Sequence, residues 1–135
     1  MKILGFSVRY IVNDVDAAIA FYTRQLGFRV DMHPNRHFAI LARDEGLHLM
    51  LNTPTGPGGG AQPMPDGRTP EPGGWNRIQI QVSNLDQEVA NLRKANVHFR
   101  GDIVTGIGAR QILIEDPSGN PIELFELRGE EETTH

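Results

Sequence analysis

Apolar and polar residues alternate near the start of the chain, and the pattern then changes to a helical period. The alternation over residues 6–12 predicts a strand. A helix is predicted next, with Asp14 as its N-cap and Gly27 just after its last residue. Three short strands are predicted to follow, at about Phe28–His33, His37–Ala42 and Leu47–Asn52.

The same order of elements recurs in the second half of the chain. Residues 78–82 repeat the alternation of residues 8–12, and Asn84 takes the cap position, with Gln87 placed to complete a capping box. A turn is predicted at 116–121, where the sequence is DPSGNP. The strands of this half are predicted at about Val97–Val104, Arg110–Glu115 and Ile122–Leu127. The chain therefore resembles one βαβββ unit written twice, as module one (1–53) and module two (75–127).

Residues 54–74 separate the two predicted modules and contain seven glycines and six prolines. No helix or central strand can run through that composition. The segment is either a flexible linker or a lid over a binding site, and both interpretations stay open. Trp75 follows it and could stack on a ligand, contact a second subunit or pack in the core. The polar, acidic residues 128–135 are predicted to form a disordered tail.

Strand alternation also predicts which side chains share a face. The apolar set of each module suits the face packed under the helix. The opposite face is either solvated or forms the wall of a pocket, and composition alone does not choose between them. The side chains expected on that opposite face are Ser7, Arg9, Ile11, His48, Met50, Asn52, Arg77, Gln79, Gln81, Glu123 and Phe125.

Composition and charge narrow the classes of function. The chain has 135 residues, the usual size of one domain, and a net charge of -4, which argues against nucleic acid and anionic lipid as partners. It has no cysteine, which excludes disulfides, thiolate nucleophiles and cysteine-ligated metals. The N-terminal residues make a poor signal peptide, and no apolar stretch is long enough to span a bilayer. We expect a cytoplasmic protein.

Two motifs resemble the vicinal oxygen chelate superfamily, also called the glyoxalase, bleomycin-resistance and dioxygenase fold. They are VNDVDAAIAFYTRQLGFRV at 12–30 and DPSGNPIELFE at 116–126. The resemblance implies an α+β fold of two tandem βαβββ modules that form an open half-barrel, with the helices outside and a ligand cup inside. It also implies a single domain over residues 1–127 and a two-fold homodimer.

Metal-dependent members of that superfamily carry ligands on the first and last strand of each module. The resemblance puts these positions at Ser7, His48, Arg77 and Glu123, with His48 as the counterpart of Glu123. Arg77 cannot ligate a metal because its guanidinium stays protonated, and Ser7 is a weak ligand. We therefore expect no metal cofactor. The alternative is a divalent ion at His48 and Glu123.

We expect the Arg77 guanidinium to stand where a metal would be. It could pair with Glu123 and meet an anionic or carbonyl group of a ligand, or it could simply form a salt bridge that closes a vacated site. His48 and Glu123 are the candidate catalytic residues. The candidate ligand-binding residues are Ser7, Arg9, Met50, Asn52, Trp75, Arg77, Gln79, Gln81 and Phe125.

Three functions follow from these expectations. The first is a metal-free protein that binds or sequesters a small organic metabolite or drug, as the bleomycin-resistance proteins of this fold do. The second is a metal-dependent enzyme: a glyoxalase-like lyase, an epimerase or an extradiol dioxygenase. The third is a non-catalytic interaction domain. Fold alone does not separate them, because function depends on the site.

Overall fold

A computed structural model describes residues 1–54, 56 and 60–128. They form two compact units. The first unit is Met1–Gly73 together with Pro117–Asn120, and the second comprises Gly74–Asp116 and continues from Pro121. The predicted tail at 128–135 lies outside the described residues, except for Arg128. No helix among the described residues is long and apolar enough to cross a membrane.

The first unit comprises β1 (Val8–Ile11), α1 (Val15–Leu26), β2 (Arg29–Asn35), β3 (Phe38–Ala42) and β4 (His48–Asn52). Its four strands form one sheet packed on the helix, in the order β1-β4-β3-β2. β1 is parallel to β4, and the other neighbours are antiparallel. The predicted helix is confirmed: the Asp14 side chain accepts a hydrogen bond from Ala17 N, and Gly27 follows the helix with φ 70°.

The second unit comprises β5 (Ile78–Gln81), α2 (Leu85–Lys94), β6 (His98–Phe99), β7 (Val104–Thr105), β8 (Ala109–Glu115) and β9 (Pro121–Leu127). It repeats the topology of the first unit, with strands in the order β5-β9-β8-β6 and with β7 also paired to β8. The strand predicted at 97–104 is instead two short strands that both pair with β8, and the chain bends away between them at Arg100 and Gly101. A glycine weakens a strand at such a point.

The second helix begins as predicted but lacks the predicted capping box. The Asn84 side chain accepts a hydrogen bond from Gln87 N at 3.1 Å. The Gln87 side chain does not reach back to the cap; it donates forward to Asn91 Oδ1, one helical turn away. The Leu85 N–H, one of the donors left unsatisfied at a helix start, is bound by Glu126 Oε1 at 3.0 Å.

Each helix covers the apolar face of its own sheet, as the alternation predicted. In the first unit, Tyr22 of α1 is fully buried and makes edge contacts with the rings of Tyr10 and Phe28. In both units the polar side chains therefore lie on the sheet face opposite the helix. The α+β class and the repeated βαβββ order predicted from the sequence are confirmed. The buried apolar strand residues are Tyr10, Ala39, Leu41, Ala42, Leu49, Leu51, Ile78, Ile112, Ile114, Ile122 and Leu124.

Candidate functional site

Strand register shows which residues correspond between the two units. In the first unit Val8 pairs with Leu49, and in the second Ile78 pairs with Ile122. The same backbone hydrogen bond closes both pairs of strands, from Val12 N to Asn52 O at 2.9 Å and from Val82 N to Phe125 O at 2.8 Å. Both observations give the same alignment: residues 8–12 correspond to residues 78–82, and residues 49–52 correspond to residues 122–125.

That alignment corrects one expectation. In the second unit, Glu123 is the register partner of Gln79. In the first unit, the equivalent pair is Met50 and Arg9, so Met50 is the counterpart of Glu123. His48, which we expected to be the counterpart of Glu123, lies two positions earlier on β4. The expectation was wrong because a shift of two residues along a strand leaves every side chain on the same face, so alternation does not detect it.

Glu123 is the centre of the polar face of the second unit. Its side chain is 6% exposed, and both of its oxygens are engaged. Arg77 donates to Oε1 through Nε at 3.1 Å and Nη2 at 2.8 Å, and Gln79 donates to Oε2 at 2.6 Å. A buried carboxylate needs such partners, and hydrogen bonds from a charged guanidinium are stronger than those between neutral groups. The pairing of Arg77 with Glu123 that the sequence suggested is present.

Trp75 extends this cluster toward the edge of the same unit. Its backbone oxygen accepts a hydrogen bond from Arg77 Nη1 at 3.1 Å. The Arg100 guanidinium lies 4.6 Å from the centre of the Trp75 ring, in a cation–π contact, and also donates to Gly74 O. The indole nevertheless stays 68% exposed. Trp75 is thus a held, solvent-facing aromatic ring, and the core position considered for it is excluded.

Gln81 and Phe125 complete the polar face of the second unit. They are register partners on β5 and β9, two residues further along each strand than Gln79 and Glu123, and so on the same face. Gln81 is exposed and Phe125 is half-buried. The face therefore places an apolar ring and an amide beside the Glu123 cluster, a mixture typical of surfaces that bind organic molecules.

Arg9 is the centre of the corresponding face of the first unit. Its Nε donates to Asn52 Oδ1 at 2.9 Å, and its Nη2 lies 3.4 Å from Met50 Sδ. Ser7 Oγ lies 3.9 Å from the same sulfur. Asn52 is buried and Arg9 is exposed. The predicted residues Ser7, Arg9, Met50 and Asn52 are thus brought together.

His48 stands apart from this group. It is the first residue of β4, and its exposed side chain makes no hydrogen bond or ion pair with another described residue. A general base needs a partner that orients it or a substrate proton within reach. The structure gives His48 no such partner in its own unit.

The glycine-rich segment lies against the first unit at the residues that the structure describes. A Cβ built at Gly56 would lie 2.3 Å from the His37 ring, and one built at Gly60 would lie 2.9 Å from the Arg9 guanidinium. Ala61 is buried. Sequence reasoning missed His37, whose Nδ1 is 2.9 Å from Thr53 Oγ1. Local pattern carried no signal for these contacts, since they join residues far apart in the chain.

The side chains at the four positions where related metalloenzymes carry ligands are a poor set for a divalent metal ion. The four register-equivalent positions carry Ser7, Met50, Arg77 and Glu123, of which only Glu123 is a strong ligand for Zn²⁺, Fe²⁺ or Ni²⁺. Both oxygens of that carboxylate accept hydrogen bonds from Arg77 and Gln79. Within residues 1–54, 56 and 60–128, no three histidine, aspartate or glutamate side chains group as a metal site requires. These residues do not fit a metal.

A family model described as Glyoxalase/Bleomycin resistance protein/Dioxygenase superfamily matches residues 6–124. No curated protein sequence matches the chain. Among solved structures, a member of that superfamily from Sphaerobacter thermophilus DSM 20745 is 26% identical, with a TM-score of 0.71 and coverage of 93% of this chain and 98% of that one.

Two further solved structures share the fold at lower identity. TnmS3, an antibiotic binding protein from Streptomyces sp. CB03234, is 23% identical, with a TM-score of 0.69 over 95% of this chain and 99% of that one. A lactoylglutathione lyase from Agrobacterium tumefaciens is 17% identical, with a TM-score of 0.68 over 93% and 96% of the two chains. Similar folds therefore accompany both antibiotic binding and catalysis.

Proposed function

Because this chain belongs to the Glyoxalase/Bleomycin resistance protein/Dioxygenase superfamily, we propose that it binds a small organic molecule on its polar sheet faces without a resident metal ion. The observation that carries the proposal is the Arg77–Glu123 pair. A permanent cation is bonded to the one strong ligand of the four register-equivalent positions, at 2.8 and 3.1 Å. A divalent ion at Glu123 would face the repulsion of that guanidinium in a partly buried setting.

The binding role rests on the mixture of side chains that these faces present. Trp75 offers a solvent-facing ring whose position is held by Arg100 and by the hydrogen bond from Arg77. Phe125 adds apolar surface, and Gln81 adds an amide that can donate and accept. Aromatic rings bring large contact area at little cost in conformational entropy. The antibiotic-binding protein TnmS3 supplies a precedent for an organic ligand on this fold.

Catalysis by His48 and Glu123 is the less favoured alternative. Glu123 would have to release hydrogen bonds from Arg77 and Gln79 before it could accept a proton or a metal. His48 lacks an orienting partner among the described residues. The likeness to a lactoylglutathione lyase, at 17% identity, concerns the fold alone. The cytoplasmic location, the homodimer, and the absence of nucleic-acid and membrane partners belong to the same proposal.

Metal content and ligand binding test the proposal together. Protein purified without added metal, and then incubated with Zn²⁺, Ni²⁺, Mn²⁺ or Fe²⁺ and desalted, should hold well below one ion per chain by elemental analysis. A panel of aromatic antibiotics and metabolites should contain compounds that raise the melting temperature and quench the fluorescence of Trp75, the only tryptophan. Chelator should leave that binding unchanged.

One tightly held divalent ion per chain, lost to chelator together with ligand binding, would refute the metal-free part of the proposal. The Arg77→Met, Glu123→Leu double variant supplies a control, because it removes both charges and leaves no buried ion unpaired. If the double variant binds the panel compounds with wild-type affinity, the Arg77–Glu123 pair only occupies the place of a metal site and does not contact the ligand.

A further inference from the structure

We propose that Arg9 forms an oxyanion-recognition site on the polar face of the first unit, so that the preferred ligand carries a carboxylate, sulfonate or phosphate group. The inference rests on the proposed function, since it names the chemical class of the small molecule. Arg9 differs from Arg77 in one respect that matters here: no described carboxylate lies within ion-pair distance of it.

The partners of Arg9 are neutral, so its charge is not cancelled. Nε donates to the Asn52 amide oxygen at 2.9 Å, and Nη2 lies 3.4 Å from the Met50 thioether. In contrast, Arg77, Arg100 and Arg110 each contact a carboxylate oxygen at 2.7 or 2.8 Å. A guanidinium held by neutral groups keeps its attraction for an anion. Because it is already fixed, it loses little conformational entropy when an anion binds.

The Arg9 side chain is held in place, which makes it more than a mobile surface cation. Asn52, its main anchor, is 6% exposed, and the Asn52 backbone oxygen is bonded to Val12 N. The remaining N–H groups of the Arg9 fork make no hydrogen bond with another described residue. A planar fork with donors to spare and a buried anchor suits two-point recognition of an oxyanion.

Gly60 forms one wall of this site. A Cβ at Gly60 would lie 2.9 Å from both Cζ and Nε of Arg9 and 3.0 Å from Asn52 Cγ. The main chain there thus approaches the guanidinium so closely that a side chain would fill the space beside it. The Gly60 φ lies outside the left-handed region, so the backbone conformation itself allows a larger residue. The Cβ of such a residue would clash with Arg9 and Asn52, and the Arg9 guanidinium would have to shift.

Two fluorescent probes that differ by one group test the inference. 8-Anilinonaphthalene-1-sulfonate carries a sulfonate, and N-phenyl-1-naphthylamine has the same rings without it. The wild-type protein should bind the sulfonate probe more tightly, by about tenfold or more, as expected for a hydrogen-bonded charge pair. Added salt should reduce that preference. Arg9→Gln should abolish it without weakening the neutral probe, Arg9→Lys should keep part of it, and Gly60→Val should reduce it.

Arg24→Gln supplies the charge-matched control, since Arg24 is exposed in the last turn of α1, and the preference should survive there. Circular dichroism and melting temperature confirm that each variant is folded. Equal affinity of the wild-type protein for both probes, or a preference that survives Arg9→Gln, would overturn the Arg9 site and leave the proposed function standing. Failure of both probes to bind would overturn both.

Discussion

Met50 and Glu123 occupy the same register position in the two units, one beside Arg9 and the other beside Gln79. The thioether leaves the neighbouring cation unneutralised, whereas the carboxylate draws in Arg77 and Gln79. The polar face of the first unit thus carries a cation without a carboxylate partner among the described residues, and the polar face of the second unit carries a closed ion pair. The two faces are therefore expected to play different roles toward a ligand.

Met50→Glu should give the polar face of the first unit an ion pair like the Arg77–Glu123 pair of the second unit. The new carboxylate would lie beside Arg9 and pair with it, so the preference for the sulfonate probe should disappear. Because the pair is partly exposed, the free energy of unfolding should change by less than about 1 kcal/mol. Probe titration and urea unfolding measure the two effects. Met32→Glu, on exposed β2, is the matched control, and it should leave the preference intact.

Arg77→Met should destabilise the protein by about 2–3 kcal/mol, because it leaves the Glu123 carboxylate buried with Gln79 as its remaining donor. The Arg77→Met, Glu123→Leu double variant should recover most of that loss. Urea unfolding of the single and double variants gives the coupling between the two residues. Arg68→Met, which breaks the exposed pair with Asp66, should cost less than about 1 kcal/mol. A loss in the double variant as large as in the single would contradict this account.

Asn120→Ala should cost about 2–3 kcal/mol, because the buried Asn120 side chain satisfies two backbone groups. Its Oδ1 accepts from Gly73 N at 2.8 Å, and its Nδ2 donates to Ile11 O at 2.7 Å. Ser118→Ala, in the same turn, removes one exposed acceptor for Asn13 N and should cost less than about 1 kcal/mol. Equal losses in the two variants, measured by urea unfolding, would show that burial of Asn120 does not matter.

Gly56→Ala should release the glycine-rich segment from the first unit. At φ 111° a Cβ is strained, and it would lie 2.3 Å from the His37 ring. Trypsin cleavage after Arg68, in the same segment, should become faster. Gly46→Ala is the control, because Gly46 has a similar φ of 105° but no atom within 4 Å of an added Cβ. It introduces the same backbone strain without the steric clash. If both variants are cleaved at the wild-type rate, the contact at Gly56 does not hold the segment.

Glu45 should titrate far below an ordinary glutamate. Its hydrogen bond with Arg43 lowers its pKa to about 2. A carboxylate whose pKa is lower in the folded state stabilises the protein above its unfolded pKa, and that contribution is lost as pH falls from about 4.5 toward 2. Arg43→Gln should return the pKa of Glu45 toward its usual range and reduce that pH dependence. Carbon-13 NMR titration of the Glu45 carboxyl in the wild-type protein and in the variant measures the change.

Much of the fold could be predicted from local patterns. The helix ends are marked by the cap residues Asp14 and Asn84 and by the left-handed glycine Gly27. These residues act through contacts with near neighbours in the chain, so their roles can be predicted from the sequence. Alternation predicted which face of each strand meets its helix, because successive side chains point to opposite sides. Arginine at position 77 and serine at 7 were also enough to question a metal site.

Tertiary packing decided the rest. A slip of two residues preserves the faces, so only the pairing of strands distant in the chain could show that Met50, and not His48, is the counterpart of Glu123. The hydrogen bonds on Glu123 and the approach of Gly60 to Arg9 likewise join residues far apart in sequence. The sequence by itself determined the elements and their faces, because these depend on neighbours along the chain. The tertiary structure alone decided register and partners, because these depend on neighbours in space.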